Sequence, residues 1–135
     1  MKTKLTLPVL LICVSMSSCM PESNNDNLEG SWTCQETSDI YMEGLKGTST
    51  YPVYIAQDAE DDNTYYIDNF YQLGDGVQVK IKLSGISIML SRQTADGIEF
   101  QGTGTVNSAR DMINLSYTAD DGGGEIDHVQ AEYSR

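Results

Sequence analysis

An alternation of apolar and polar residues with a period of two is the feature that most constrains the fold of this chain. It is most regular in residues 77–83, where apolar side chains occupy every second position. Because successive side chains of a β-strand point to opposite faces, this pattern predicts a strand with one buried face. Ser84 and Gly85 supply a two-residue turn, which predicts a β-hairpin. We expect the apolar face to resume at Ile86, Ile88 and Leu90.

Six further segments show the same period, so that eight short strands are predicted in all. These segments are residues 32–34, 51–55, 65–71, 98–100, 113–117 and 129–133. Turn signals separate several of them, at residues 75–76, 96–97 and 121–124. Regularly spaced strands with such turns predict an all-β protein, an antiparallel eight-strand meander that is either closed into a barrel or folded as a β-sandwich.

The first predicted strand carries Gly30-Ser31-Trp32, which resembles the Gly-x-Trp signature of the lipocalin, or calycin, family. More broadly, residues 28–135 resemble the small lipocalin-like domains of Gram-negative surface lipoproteins, and the resemblance includes the segments IDNFYQLG, GIEFQGTGT, INLSYT and VQAEYSR. It implies a lipocalin-like barrel in which Trp32 plugs one end. It also implies that Arg135 packs over the Trp32 ring, a position that suits a cation–π contact.

The N-terminal segment has the order of a secretory signal. Two lysines come first, a short apolar run follows over residues 5–14, and Ser17 and Ser18 stand immediately before Cys19. The run is shorter than the roughly 20 apolar residues that a membrane-spanning helix needs. The stretch resembles a bacterial lipobox, which implies that residues 1–18 are a lipoprotein signal peptide and that Cys19 becomes the lipidated first residue of the mature protein.

The residues that follow Cys19 predict a tether between the lipid and a folded domain. Residues 22–27 contain no apolar side chain, so they cannot bury enough surface to offset their conformational entropy. We therefore expect a flexible tether over residues 19–27 and one domain over residues 28–135. The expected partner of the anchor is the bacterial outer membrane, on either its periplasmic or its extracellular face.

The charge of the chain excludes one class of partner. The whole sequence has 20 acidic and 8 basic residues, and removal of the predicted signal peptide leaves 6 basic residues and a net charge of −14. Nucleic-acid binding relies on clustered Lys and Arg side chains, so a nucleic-acid partner is not expected. The negative charge either keeps a solvated surface soluble or attracts a cationic partner.

No arrangement typical of catalysis or metal binding is found in the sequence. His128 is the one histidine, and the alternation places it on a polar face. Cys34 lies beside Trp32 on an apolar face, which favours a buried, unreactive thiol. The acidic segments 58–63 and 120–127 either surround Ca²⁺ or form solvated loops, and the loops are favoured because an EF-hand pattern is missing. We therefore expect no catalytic residues, no metal and no cofactor.

A long connection between the first two predicted strands, residues 38–50, is the first candidate for a binding role. It contains Tyr41, Met42 and Leu45. In lipocalin-like barrels the equivalent loop covers the open end of the barrel. These apolar side chains therefore form either a lid over a small apolar ligand or a plug that packs into the barrel.

Three aromatic residues form the second candidate. Tyr54, Tyr66 and Phe70 fall on the strand faces opposite the apolar ones. If those faces point outward, the three rings form a surface patch suited to stacking on sugar rings or on a protein partner. A second small core would explain them equally well.

Together these features predict a non-catalytic outer-membrane lipoprotein that binds a small apolar molecule, a glycan or a protein. An alternative is an inhibitor or scavenger of cationic proteins such as lysozyme or antimicrobial peptides, because a negative field speeds association with basic partners. The hypothesis that a small apolar molecule binds inside the barrel requires an interior that side chains do not fill. The side chains whose packing decides this are Trp32, Ile55, Ile81, Ile88, Phe100 and Leu115.

Overall fold

The computed structural model describes residues 27–40 and 47–135. The predicted signal peptide, Cys19 and the predicted tether up to residue 26 lie outside the described residues. Tyr41, Met42 and Leu45 of the predicted lid lie outside them as well. Within the two described ranges, no helix combines the length and the apolar character needed to cross a membrane.

Eight antiparallel strands follow one another along the chain and form a closed barrel. They are β1 (Gly30–Ser38), β2 (Gly47–Gln57), β3 (Thr64–Asp68), β4 (Gln78–Ser84), β5 (Ser87–Ala95), β6 (Ile98–Val106), β7 (Met112–Asp120) and β8 (Ile126–Ser134). Each strand pairs with the next, and β1 also pairs with β8. The predicted all-β meander is confirmed as a closed barrel rather than a sandwich, and its shape is compatible with a lipocalin-like barrel.

The alternation of the sequence separates the inside of the barrel from the outside. In β4, for example, Val79, Ile81 and Leu83 are buried, whereas Lys80 and Lys82 are exposed. We call the lower end of the barrel the one that holds the β2–β3, β4–β5 and β6–β7 connections together with Arg135. The upper end holds the last residue of β1, the first residue of β2, and the β3–β4, β5–β6 and β7–β8 connections.

The structure corrects two details of the predicted strands. The hairpin turn consists of Gly85 and Ile86, so that Ile86 is 57% exposed instead of lying on the apolar face. The third strand ends at Asp68, and a short 3-10 helix, Phe70–Gln72, takes the place of its predicted last residues. Asn69 has a left-handed backbone with φ of 60°, which turns the chain out of the strand before the helix begins.

Two glycines on the inward side of β6 bring β7 close to it. Gly102 pairs with Tyr117, and Gly104 pairs with Leu115. A Cβ atom on Gly102 would lie 2.2 Å from the carbonyl oxygen of Ser116, a distance that real Cβ atoms do not show. The missing side chains therefore allow the larger side chains of β7 to pack into the interior.

Trp32 and Arg135 close the lower end. Trp32 is buried, and its indole Nε1 donates a hydrogen bond to the carbonyl oxygen of Leu28 at 2.8 Å. The guanidinium carbon of Arg135 lies 4.3 Å from the Trp32 ring centroid, within the range of a cation–π contact. The guanidinium group also donates hydrogen bonds to the carbonyl oxygens of Asn27, Glu29 and Arg110. The last residue thus holds the chain that enters β1 against the barrel.

Candidate functional site

Side chains fill the interior of the barrel. All six side chains that decide whether a ligand could be enclosed are buried, each with no more than 2% of its surface exposed: Trp32, Ile55, Ile81, Ile88, Phe100 and Leu115. They belong to one continuous hydrophobic core. Depressions of about 220 to 410 Å³ lie on the outer face and at the lower end.

Aromatic rings pack at the upper end of this core. The ring of Phe70 lies 5.1 Å from that of Phe100, nearly perpendicular to it, and 4.7 Å from that of Tyr117. Phe70 is fully buried, so the prediction that it belongs to an exposed aromatic patch is wrong. The left-handed backbone of Asn69 breaks the strand alternation and directs the next side chain into the barrel. Phe70 is therefore a core residue.

A polar cluster lies among these apolar side chains. Glu36 is 5% exposed, and its Oε2 accepts hydrogen bonds from the hydroxyl groups of Tyr51 at 2.5 Å and Tyr117 at 2.6 Å. Burial raises the pKa of Glu36, and this effect outweighs the two hydrogen bonds, which act in the opposite direction. Burial also raises the pKa of the neighbouring Cys34 thiol to about 12, which keeps that thiol unreactive.

A second buried carboxylate ties the upper ends of three elements together. Asp127 is 2% exposed and accepts hydrogen bonds from the hydroxyl groups of Ser38 at 2.5 Å and Tyr71 at 2.6 Å, and from the backbone N–H of Asp39 at 3.1 Å. These contacts join β8 to the end of β1 and to the 3-10 helix. The expectation that residues 120–127 form a solvated acidic loop is therefore wrong for Asp127.

Both buried carboxylates were missed in the sequence, although the alternation could have located them. Glu36 lies two residues after Cys34 and four after Trp32, so it falls on the same inward face of β1. Asp127 lies two residues before the buried Val129, so it falls on the inward face of β8. Continuing each inward face by two residues would have placed both carboxylates inside the barrel. In the described residues no group of three or more His, Cys, Asp or Glu side chains is arranged to hold a metal ion. The one histidine, His128, is exposed.

The outer face retains two of the three aromatic residues of the predicted patch. Tyr54 is 48% exposed on β2, and Tyr66 is half-buried on β3. Tyr54 pairs with Asp68 and Ala56 pairs with Tyr66, so the two tyrosines are diagonal neighbours on the same side of the sheet. The Tyr66 hydroxyl donates a hydrogen bond to Oδ2 of Asp58 at 2.8 Å, which fixes the orientation of its ring.

Comparison with protein-family models gave no match, and comparison with curated protein sequences gave no significant match either. The closed eight-strand barrel is compatible with the lipocalin-like architecture that the Gly-x-Trp segment resembles. The function must therefore be inferred from the geometry, in which the interior is filled and an exposed tyrosine pair lies on the outside.

Replacement of Glu36 by Gln is expected to change the pH dependence of stability. Because the folded pKa is raised above the ordinary value of 4.5, the stability associated with the protonated carboxyl group is fully present below about pH 4.5 and is lost as the pH rises through the folded pKa. Glu36→Gln cannot ionise. The free energy of unfolding of this variant should therefore rise relative to wild type as the pH increases from about 4.5 through the folded pKa of Glu36, by up to about 1.4 kcal/mol per pH unit.

Urea denaturation of both proteins over this pH range measures the effect. Glu132→Gln, at an exposed position of β8, is the control for the loss of one carboxylate. A constant difference in stability between Glu36→Gln and wild type across the pH range would contradict the buried position of an ionisable Glu36.

Proposed function

We propose that the mature chain is a non-catalytic lipoprotein of the bacterial outer membrane that binds a glycan on the outer face of its barrel. The segment before Cys19 supports the anchor, because a charged start, a short apolar run and two serines before a cysteine match a lipoprotein signal. A lipid anchor also suits a chain with many carboxylates, which anionic headgroups would repel.

The observation that carries the proposal is an exposed tyrosine pair on a barrel whose interior is filled. A small apolar ligand inside the barrel would have to displace core side chains that bury nearly all of their surface, such as Ile55 and Phe100. Tyr54 and Tyr66 instead offer two ring faces on neighbouring strands of the outside. Aromatic rings flanked by polar side chains combine apolar contact area with polar groups, which suits a sugar ring.

The distribution of exposed apolar residues favours a glycan over a protein partner on this face. A stable protein interface covers roughly 800 Å² on each partner. Besides Tyr54, the large apolar side chains that are exposed among the described residues are dispersed over the barrel. Ile86 and Met112 lie near the lower end, Met89 lies on β5, and Ile40 and Ile126 lie near the upper end. This arrangement leaves Tyr54 and Tyr66 as a small contact area, which is sufficient for one or two sugar rings.

The chemistry of the described side chains supports a binding role rather than catalysis. Cys34 is buried with a raised pKa, which removes it as a nucleophile. The carboxyl groups of Glu36 and Asp127 accept hydrogen bonds from tyrosine and serine hydroxyl groups inside the barrel. These hydrogen bonds hold strands together. Both carboxyl groups lie inside the barrel, so they do not reach a substrate on the outer face.

The anchor is tested by replacing Cys19. Wild-type protein expressed in a Gram-negative host should incorporate a fatty-acid label and sediment with the membrane fraction. Cys19→Ala should lose the label and be released from the membrane, because the acceptor thiol is gone. Cys13→Ala, which changes a cysteine inside the predicted signal peptide, is the matched control and should remain labelled. Unchanged labelling and sedimentation of Cys19→Ala would refute the lipid anchor.

Glycan binding is tested by replacing Tyr54. In affinity electrophoresis through gels that contain neutral or acidic polysaccharides, at least one polysaccharide should retard the wild-type protein. Tyr54→Ser should weaken that binding about tenfold, which corresponds to the loss of about 1.4 kcal/mol of stacking. Ile126→Ser is the matched control, because Ile126 is 49% exposed and lies on β8, outside the tyrosine pair. Absence of retardation by every polysaccharide would refute the proposed function.

The charge at the upper end favours a second candidate function, the capture of cationic proteins such as lysozyme. Asp39, Asp121 and Glu125 are all exposed there. A lysozyme pull-down that persists at about 0.15 M salt and is lost in Asp121→Asn/Glu125→Gln would support this function, since nonspecific charge attraction is largely screened at that ionic strength. Binding that is seen at low salt alone would count against it.

A further inference from the structure

A depression of about 220 Å³ lies on the outer face where β4 and β5 separate. The two strands pair from the hairpin turn up to Lys82 and Met89, and their backbone pairing stops there. Beyond that point the side-chain amide of Gln93 on β5, rather than the backbone, forms hydrogen bonds with β4. Its Oε1 accepts from the backbone N–H of Lys80 and its Nε2 donates to the carbonyl oxygen of Lys80, both at 2.7 Å. The pairing of β5 with β6 is also irregular between Leu90 and Gln93. Such irregularities commonly redirect side chains at functional sites.

The lining of this depression is cationic, although the chain is strongly acidic. The sequence has 20 acidic and 8 basic residues, yet three basic side chains and no carboxylate line the depression. The lining consists of Lys80, Lys82, Met89, Ser91, Arg92 and Gln93. Lys80 and Lys82 stand on the same face of β4, about 7 Å apart along the strand. Two exposed ammonium groups on one face of a strand suit an anionic ligand.

Two carboxylates of the β2–β3 connection lie near the two lysines without forming a salt bridge with them in the described ranges. Nε of Arg92 forms an exposed salt bridge with Oε1 of Glu99 at 2.9 Å, but Lys80 and Lys82 form no ion pair with any residue in the described ranges. Asp58 and Asp61, in the β2–β3 connection, are close enough for the lysines to influence their pKa values. Both pKa values are lowered chiefly by hydrogen bonds from backbone N–H groups of the same connection. These donors are the N–H groups of Glu60 for Asp58 and Asn63 for Asp61.

The tyrosine pair continues directly into this depression. Tyr66 on β3 pairs with Lys80 on β4, and Tyr54 on β2 is the diagonal neighbour of Tyr66. The two tyrosines and the two lysines therefore occupy one strip of the outer face that runs across β2, β3 and β4 to the edge of β5. Two carboxylates border the tyrosines in this strip: Asp68 pairs with Tyr54, and Asp58 accepts a hydrogen bond from the Tyr66 hydroxyl. Strand spacing of about 4.8 Å makes this strip roughly 15 Å wide, which is an extended rather than a point-like contact.

We propose that this strip binds an acidic polysaccharide, whose sugar rings contact Tyr54 and Tyr66 and whose carboxylate groups pair with Lys80 and Lys82. The proposal rests on the glycan-binding function proposed above and specifies the chemical class of the glycan. A polymer of uronic acids carries a carboxylate on every ring, so it presents a negative charge beside each stacking surface. A neutral polysaccharide would use the tyrosines and leave the lysines without a partner.

The test compares polygalacturonate with the same polymer after full methyl esterification, which removes the charge and keeps the sugar backbone. Affinity is measured by isothermal titration calorimetry on the mature protein at about 0.15 M salt. Wild-type protein should bind polygalacturonate at least about tenfold more tightly than the ester. Lys80→Gln/Lys82→Gln should lose that preference, because both ammonium groups are removed. Lys80→Arg/Lys82→Arg, which keeps the charges, should retain it.

The alternative outcomes separate this proposal from the one it rests on. If wild type binds both polymers equally and Tyr54→Ser weakens both, the acidic specificity is refuted and glycan binding stands. If neither these two polymers nor any other polysaccharide is bound, both proposals are refuted. If phosphatidylglycerol vesicles or short DNA bind as tightly as polygalacturonate, with the same dependence on the two lysines, the strip is a general anion surface and the proposal is refuted.

Discussion

The pairing of β1 with β8 is the constraint on which the rest of the molecule depends. Thr33 to Ser38 pair with Ser134 to Val129, so the first and the last strand join and the sheet has no free edge. An eight-strand barrel has an interior that is either filled by side chains or holds one small ligand, and here buried side chains occupy it. The inward side chains form one core, and a ligand that leaves this core intact must bind outside it.

Two buried carboxylates strengthen this closure at the upper end. Glu36 and Asp127 lie on the inward sides of β1 and β8, where unpaired charges would be costly. Hydroxyl groups from Tyr51 and Tyr117 satisfy the first, and those of Ser38 and Tyr71 satisfy the second. Because these donors come from different strands and from the 3-10 helix, the hydrogen bonds fix how the upper end is assembled.

The sequence alone predicted most of the fold because alternation is a direct consequence of strand geometry. It placed Val79, Ile81 and Leu83 on one face, and these side chains are buried. Prediction failed where the backbone leaves the strand conformation. The left-handed Asn69 reverses the side on which Phe70 lies, and the turn at Gly85 and Ile86 is displaced by one residue from the expected position. No pattern of apolar residues encodes such local backbone changes.

Alternation also predicted part of the candidate site, namely the side of the sheet on which the two tyrosines lie. Tyr54 and Tyr66 could be assigned to a polar face by alternation, and the barrel places both on its outside. Their proximity to Lys80 depends on the register of β3 with β4, and the depression beside Lys80 depends on the separation of β4 from β5. Register and strand separation arise from contacts between distant segments, so they were not readable from any single stretch.

The proposed ligand binds outside a barrel whose interior stays closed. Titration of the isotopically labelled mature protein with oligogalacturonate, followed by NMR, tests this most directly. Chemical shift changes are predicted at the backbone amides of Tyr54, Tyr66 and Lys80, with the methyl groups of Ile55 and Leu115 unchanged. Changes centred on those interior methyl groups, with the outer strip unaffected, would contradict the account.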